Sequence, residues 1–169
     1  MNTHDSIFHK AILKLLAEIF DGPTGDEAYI LNPGDSGLLR QLESISAAAA
    51  SRRPAPDRPP IAAHVDHVLY GIRLMNRWVG GEKNPWAEAD WTASWKRTTV
   101  TDEEWRTLRE QLRSETRVWR DALARVTTYL PQQGITGAIA IVAHLAYHLG
   151  AIRQIDRSIR GPSAEQTAP

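Results

Sequence analysis

The spacing of the apolar residues constrains this chain more than any other feature, because it is helical along almost the whole length. Four long segments carry apolar side chains every three or four residues, which predicts helices over 5–20, 60–79, 101–129 and 136–160. A weaker pattern over 36–52 predicts one extra short helix. No segment alternates apolar and polar residues as a half-buried strand does. The chain is therefore predicted to be all-α, a helical bundle of four long helices.

A long connection over 80–100 separates two of the predicted helices. Connections longer than about 12–15 residues are usually functional or packed on their own side chains. This one is rich in tryptophan, with Trp86, Trp91 and Trp95. Three indoles favour a packed flap over a mobile linker. These three indoles could form an aromatic wall over a functional site, or they could serve only in packing. The sequence favours neither role over the other.

The length of 169 residues falls in the usual range of about 100–200 residues for one domain. We predict a single domain over 1–162 and a disordered tail over 163–169. Charged residues interrupt the apolar pattern of the first twenty residues, unlike a secretory signal. No window approaches the ~18 uninterrupted apolar residues of a transmembrane helix. We therefore expect a cytoplasmic protein without a membrane partner.

Charge and cysteine content exclude several classes of function. The 20 basic and 20 acidic residues cancel, so no global field attracts nucleic acid, and we expect no nucleic-acid partner. The chain has no cysteine. That excludes disulfides, thiolate zinc sites, iron–sulfur clusters and a cysteine nucleophile. Any metal site must be built from His, Asp or Glu.

The histidines of two predicted helices are candidates for such a site. His144 and His148 are four residues apart in the apolar last helix, and therefore lie on one face of it. Buried imidazoles are costly unless their nitrogens are used, and a divalent ion uses two of them at ~2.0–2.1 Å. His64 and His67 share a face of the helix at 60–79, and either one can supply a third ligand. The competing interpretation is that these are ordinary core histidines.

The composition of this group indicates which kind of metal site it would form. A zincin protease needs Glu directly after the first His, where this chain has Leu145. Three imidazoles with open positions for water or substrate are typical of a catalytic site. Zinc or nickel fits such a site best, and manganese or iron also fits. Asp66 could orient an imidazole, although a solvated position is the more common role for such a residue.

Two segments resemble the DinB/YfiT-like metalloenzyme family. The last helix contains its C-terminal signature, His144-Leu145-Ala146-Tyr147-His148-Leu149-Gly150-Ala151-Ile152-Arg153-Gln154-Ile155. The helix at 60–79 contains the segment that carries the third histidine, Ile61-Ala62-Ala63-His64-Val65-Asp66-His67-Val68. One departure is Ala151, which stands where Gln is common in the family.

The resemblance implies an up-down four-helix bundle, often dimeric, with a divalent metal held by three histidines near one end. It assigns His144 and His148 as ligands. We prefer His67 over His64 as the third, because its position relative to Ile61 and Val68 matches the family spacing. His64 would be an outer-sphere residue, or the ligand in its place.

The wider superfamily also suggests an activity. It includes thiol-dependent S-transferases and a mycothiol-dependent isomerase, in which the metal lowers the pKa of a low-molecular-weight thiol. We therefore expect a small-molecule substrate and a homodimer. The first hypothesis is a metal-dependent S-transferase or hydrolase. The alternative is a non-catalytic, stress-associated bundle whose metal only holds the helices together.

Overall fold

The computed structural model describes residues 3–125, 132–156 and 158, and no strand occurs in those ranges. The all-α prediction is confirmed. The helices are α1 (Thr3–Asp21), α2 (Leu38–Glu43), α3 (Ala47–Ser51), α4 (Ile61–Val79), α5 (Asp102–Ala124) and α6 (Gln132–Ile155), with a 3₁₀ turn at Ala93–Trp95. The predicted tail over 163–169 lies outside the described residues.

The helix predicted over 36–52 is two short helices, α2 and α3. The break is local in origin, because Ser46 caps a new helix through its side chain. Its hydroxyl accepts a hydrogen bond from the Ala49 amide at 3.2 Å. A capping box starts α5. Glu104 Oε2 accepts from the Thr101 amide at 2.7 Å, and Thr101 Oγ1 accepts from the Glu104 amide at 3.2 Å.

The chain divides into two compact units, Met1–Gln41 with Arg125–Pro169, and Leu42–Ala124. We call them the first and the second unit. No observation here tests the single-domain organisation, which stays a prediction.

In the first unit α1 packs against α6. Both helices bury aliphatic and aromatic side chains, namely Leu16, Ile19, Phe20, Leu145, Leu149 and Ile152. The loop after α1 is fixed by the buried Glu18, whose carboxylate accepts backbone N–H bonds from Tyr29, Ile30 and Leu31 at 2.7–3.1 Å. One buried ion pair joins this loop to α6, with Arg153 Nη2 2.7 Å from Asp35 Oδ2.

In the second unit α4 packs along α5. The core of this pair includes Ile61, Val65, Leu69, Ile72, Trp105, Leu108, Leu112 and Trp119. Trp105 also donates its indole N–H to the carbonyl of Ile45 at 2.7 Å. Trp105 and Trp119 both lie in this core and are at most 2% exposed.

The connection over 80–100, called the flap from here on, packs back on α4. The Asp90 amide donates to the Tyr70 hydroxyl at 2.9 Å, and Arg97 pairs with Asp66 at 3.0 Å. The 3₁₀ turn of the flap lies against α4 as well. The packed flap predicted from the sequence is therefore present.

One helical stretch, residues 134–155, is long and apolar enough to cross a membrane by length and composition. A core helix passes the same test, so a single such stretch is weak evidence for a span. This stretch carries two histidines and packs on α1, and 33% of its most apolar window is buried.

Candidate metal centre

Two histidines of α6 bring their side-chain nitrogens together. His144 and His148 are one helical turn apart, so their rings project from the same face. Their Nε2 atoms lie 3.0 Å from each other, and the ring planes are perpendicular with centroids 4.5 Å apart. His148 is fully buried and His144 is half-buried.

This geometry fits a shared metal ion. With metal–nitrogen bonds of about 2.1 Å, two nitrogens 3.0 Å apart subtend an angle of about 90° at the ion. Neighbouring ligands of an octahedral ion make that angle, and a tetrahedral ion needs only a small widening. The pair therefore suits one ion without a change of backbone.

The burial of His144 also favours its neutral form. Burial lowers the pKa of His144 below its ordinary value, because the charged form loses solvation. Near neutral pH this imidazole is therefore uncharged, which is the form that binds a metal.

The second unit contributes His67, which projects from α4 and is buried. Its ring stacks on the indole of Trp95, with centroids 4.3 Å apart and planes 24° apart. Trp91 lies at 5.6 Å in a tilted arrangement. On the other side of the ring, Nδ1 is 2.8 Å from the hydroxyl oxygen of Ser94. The flap thus surrounds His67 with three side chains.

His64, one turn earlier on α4, is buried too. Its ring meets Trp95 edge-on at a centroid distance of 5.2 Å. Burial lowers the pKa of His64 to about 4. His64 is therefore a neutral histidine at physiological pH.

His67, His144 and His148 each offer one ring nitrogen that could bind a metal ion. This supports a divalent metal in general. His67 belongs to the second unit and the α6 pair to the first. Their joint binding of one ion stays a prediction.

A family model described as the DinB superfamily matches residues 36–152. The chain belongs to the DinB superfamily. The match spans more than half of the chain and includes all three histidines. The resemblance found in the sequence is confirmed, and the helical architecture is that of a DinB-like bundle. No curated protein and no solved structure matches the chain significantly.

The structure also locates the carboxylate that the sequence suggested for the site and two tyrosines of the histidine-bearing helices. Asp66, considered as an orienting carboxylate, pairs with Arg97 at 3.0 Å. The Tyr70 hydroxyl accepts a hydrogen bond from the Asp90 amide and so attaches the flap to α4. Tyr147 is 66% exposed, although its ring lies edge-on to His148 at 5.1 Å.

Sequence reasoning missed Ser94. It is 27 residues from His67, and no local pattern marks it. The one available signal was its position within the tryptophan-rich connection.

Proposed function

We propose that this DinB superfamily protein is a metal-dependent enzyme in which His67, His144 and His148 hold one divalent ion. The observation that carries the proposal is the 3.0 Å approach of the two Nε2 atoms on α6. When two imidazole nitrogens lie this close, either one donates its proton to the other or the two lone pairs repel, whereas a metal ion binds both nitrogens. His67 is the proposed third ligand, since it also offers one ring nitrogen.

The proposed reaction uses a nucleophile from outside the chain. When bound, a divalent ion lowers the pKa of a coordinated thiol or water, so that the reactive anion is available near neutral pH. Three protein ligands leave positions open for that group. Because the chain has no cysteine, the sulfur of a thiol reaction belongs to a low-molecular-weight cosubstrate. S-transfer to a small electrophile is the proposed activity, and hydrolysis is the variant in which water replaces the thiol.

The chain's own residues would then hold the ion and contact the substrate. An all-imidazole ligand set suits zinc or nickel, and manganese or iron fit it less well. On the flap, the indole of Trp91 is 40% exposed and lies next to His67. It offers an apolar surface to a small molecule, whereas the Trp95 ring contacts His64 and His67.

Metal content is the first test. Protein purified in the presence of zinc and nickel is expected to contain about one ion per chain by elemental analysis. His148→Ala should lose that ion, while His9→Ala on α1 is the matched control and should keep it. Full metal content in His148→Ala would contradict the proposal.

The choice of ligand on α4 needs a paired comparison. His67→Ala is expected to lose the metal, and His64→Ala is expected to retain it. Equal loss in both variants would contradict a single ligand from this helix. Retention in His67→Ala with loss in His64→Ala would assign the role to His64.

Activity is tested on the metal-loaded protein with a panel of low-molecular-weight thiols and small electrophiles. Turnover that EDTA abolishes and added metal restores supports the enzyme. A metal that raises the melting temperature without any turnover across thiol and hydrolysis panels would instead support the non-catalytic bundle.

We also propose that the protein is a cytoplasmic homodimer that pairs through α6. Exposed positions on this helix recur at alternating spacings of four and three residues, at 136, 140, 143, 147 and 150. Such spacing suits a helix that packs against a copy of itself. Ala143→Arg is expected to produce monomers in analytical ultracentrifugation, and Val118→Arg on the exposed face of α5 is the control that should not.

A further inference from the structure

The hydroxyl of Ser94 lies between a histidine nitrogen, which can either donate or accept a hydrogen bond, and a backbone carbonyl oxygen, which can only accept one. Its oxygen is 2.8 Å from His67 Nδ1 and 2.7 Å from the carbonyl oxygen of Trp91. A carbonyl oxygen only accepts hydrogen bonds, so the single hydroxyl proton of Ser94 points to Trp91. The contact with His67 is then a hydrogen bond only if Nδ1 carries the proton and donates it.

Only one tautomer of the neutral imidazole can donate this hydrogen bond. A neutral histidine has one protonated and one unprotonated nitrogen. With the proton on Nδ1, the lone pair is on Nε2. We propose that Ser94 is a positioning residue that holds His67 in the Nδ1–H tautomer and so presents Nε2 as the metal-binding nitrogen. The link to metal binding rests on the proposed function, whereas the tautomer itself does not.

The residue next to Ser94 fixes the plane of the same ring. Trp95 stacks on the His67 ring, with the centroids 4.3 Å apart. Ser94 and Trp95 both belong to the 3₁₀ turn Ala93–Trp95. One turn therefore sets the tautomer through a hydroxyl and the ring plane through an indole. Ligating histidines commonly rely on a carboxylate or a carbonyl for this purpose.

The turn is itself held firmly enough to act in this way. Asp90 Oδ1 accepts a hydrogen bond from the Ala93 amide at 2.9 Å. The Asp90 amide in turn donates to the Tyr70 hydroxyl on α4. Ser94 is only 4% exposed, so water does not compete for its two partners. The carboxylate nearest in sequence, Asp66, is engaged by Arg97.

The tautomer is read directly in the metal-free protein by two-dimensional NMR of ¹⁵N-labelled imidazoles. At pH 8 an ordinary histidine is neutral. We expect His67 to show a protonated Nδ1 and an unprotonated Nε2. In Ser94→Ala the signal should move toward the Nε2–H form. A wild-type His67 with its proton on Nε2 would overturn the inference, and this measurement needs no variant to fold.

Zinc affinity then tests the consequence, by competition with a chromophoric chelator. Ser94→Ala is expected to bind zinc about 10–100-fold more weakly, and Ser94→Thr, which keeps the hydroxyl, within about threefold of wild type. Ser51→Ala is the matched control, because its hydroxyl bonds Ala47 and Val100 and no histidine. Unchanged affinity in a folded Ser94→Ala, or equal losses in both alanine variants, would overturn the role of Ser94.

The two proposals fail differently. Wild-type protein that binds no zinc, nickel, manganese or iron would refute the metal centre, while the NMR tautomer would still decide on Ser94. Wild-type protein that binds zinc with its His67 proton on Nε2 before binding would refute the role of Ser94 alone.

Discussion

The buried His64 makes the stability of this protein depend on pH. Its side chain is 5% exposed, and burial lowers its pKa to about 4 from an unfolded value of about 6.5. Between these two values the unfolded chain binds a proton that the folded chain does not. The contribution of His64 to stability is therefore fully present above pH 6.5 and is lost as the pH falls toward 4.

The size of the effect follows from the shift. A difference of about 2.5 pKa units corresponds to about 3 kcal/mol once both states are titrated. Between pH 7 and pH 5 the part that is lost is about 2 kcal/mol. That is a large fraction of the 5–15 kcal/mol by which a typical domain is stable. The lowered pKa of His144 also makes the protein less stable as the pH falls.

The perturbation that isolates this term is His64→Gln, which keeps a polar side chain and removes the titration. Urea denaturation of the metal-free protein at pH 7 and pH 5 gives the free energy of unfolding. Wild type should lose about 2 kcal/mol more than His64→Gln over this interval. Val65→Ala, also buried on α4, is the control and should differ from wild type by the same amount at both pH values. An equal loss in wild type and His64→Gln would refute the reasoning.

Two further predictions concern buried polar groups. Trp105→Phe removes the hydrogen bond to the Ile45 carbonyl and should lower the free energy of unfolding by about 1–3 kcal/mol in urea denaturation. Trp119→Phe should cost less, because the Trp119 indole N–H has no hydrogen-bond partner among the described residues; equal costs would refute the assignment. Arg153→Met leaves the buried carboxylate of Asp35 unpaired and should cost about 3–5 kcal/mol. A change below about 1 kcal/mol, as for an exposed pair, would contradict that ion pair.

The parts of the fold that depend on local physics could be predicted from the sequence. Helical spacing predicted α1, α4, α5 and α6, since each buries one face. The capping box at Thr101 is equally local, because both of its hydrogen bonds are made within four residues. The break between α2 and α3 was missed, although its cause is equally local: Ser46 competes with helix continuation as a cap.

The candidate site was predictable only to the extent that its residues are close in sequence. Four-residue spacing was enough to place His144 and His148 on one face. The surroundings of His67 come from the flap, 24 to 28 residues further along the chain, and no spacing rule connects the two. The carboxylate suggested as an orienting group, Asp66, instead pairs with Arg97. Which of His64 and His67 binds the metal stays a prediction, because both are buried on α4.

The flap links the candidate metal centre to the surface through one residue. The carbonyl of Trp91 receives the Ser94 hydroxyl, while its indole is 40% exposed and lies 5.6 Å from the His67 ring. A molecule that packs on this indole therefore contacts the residue that orients Ser94 and, through it, His67. In the proposed S-transfer reaction the thiol would be a separate molecule, because the chain has no cysteine. A cosubstrate bound on the Trp91 indole would then contact the same residue whose carbonyl group helps to orient His67 through Ser94.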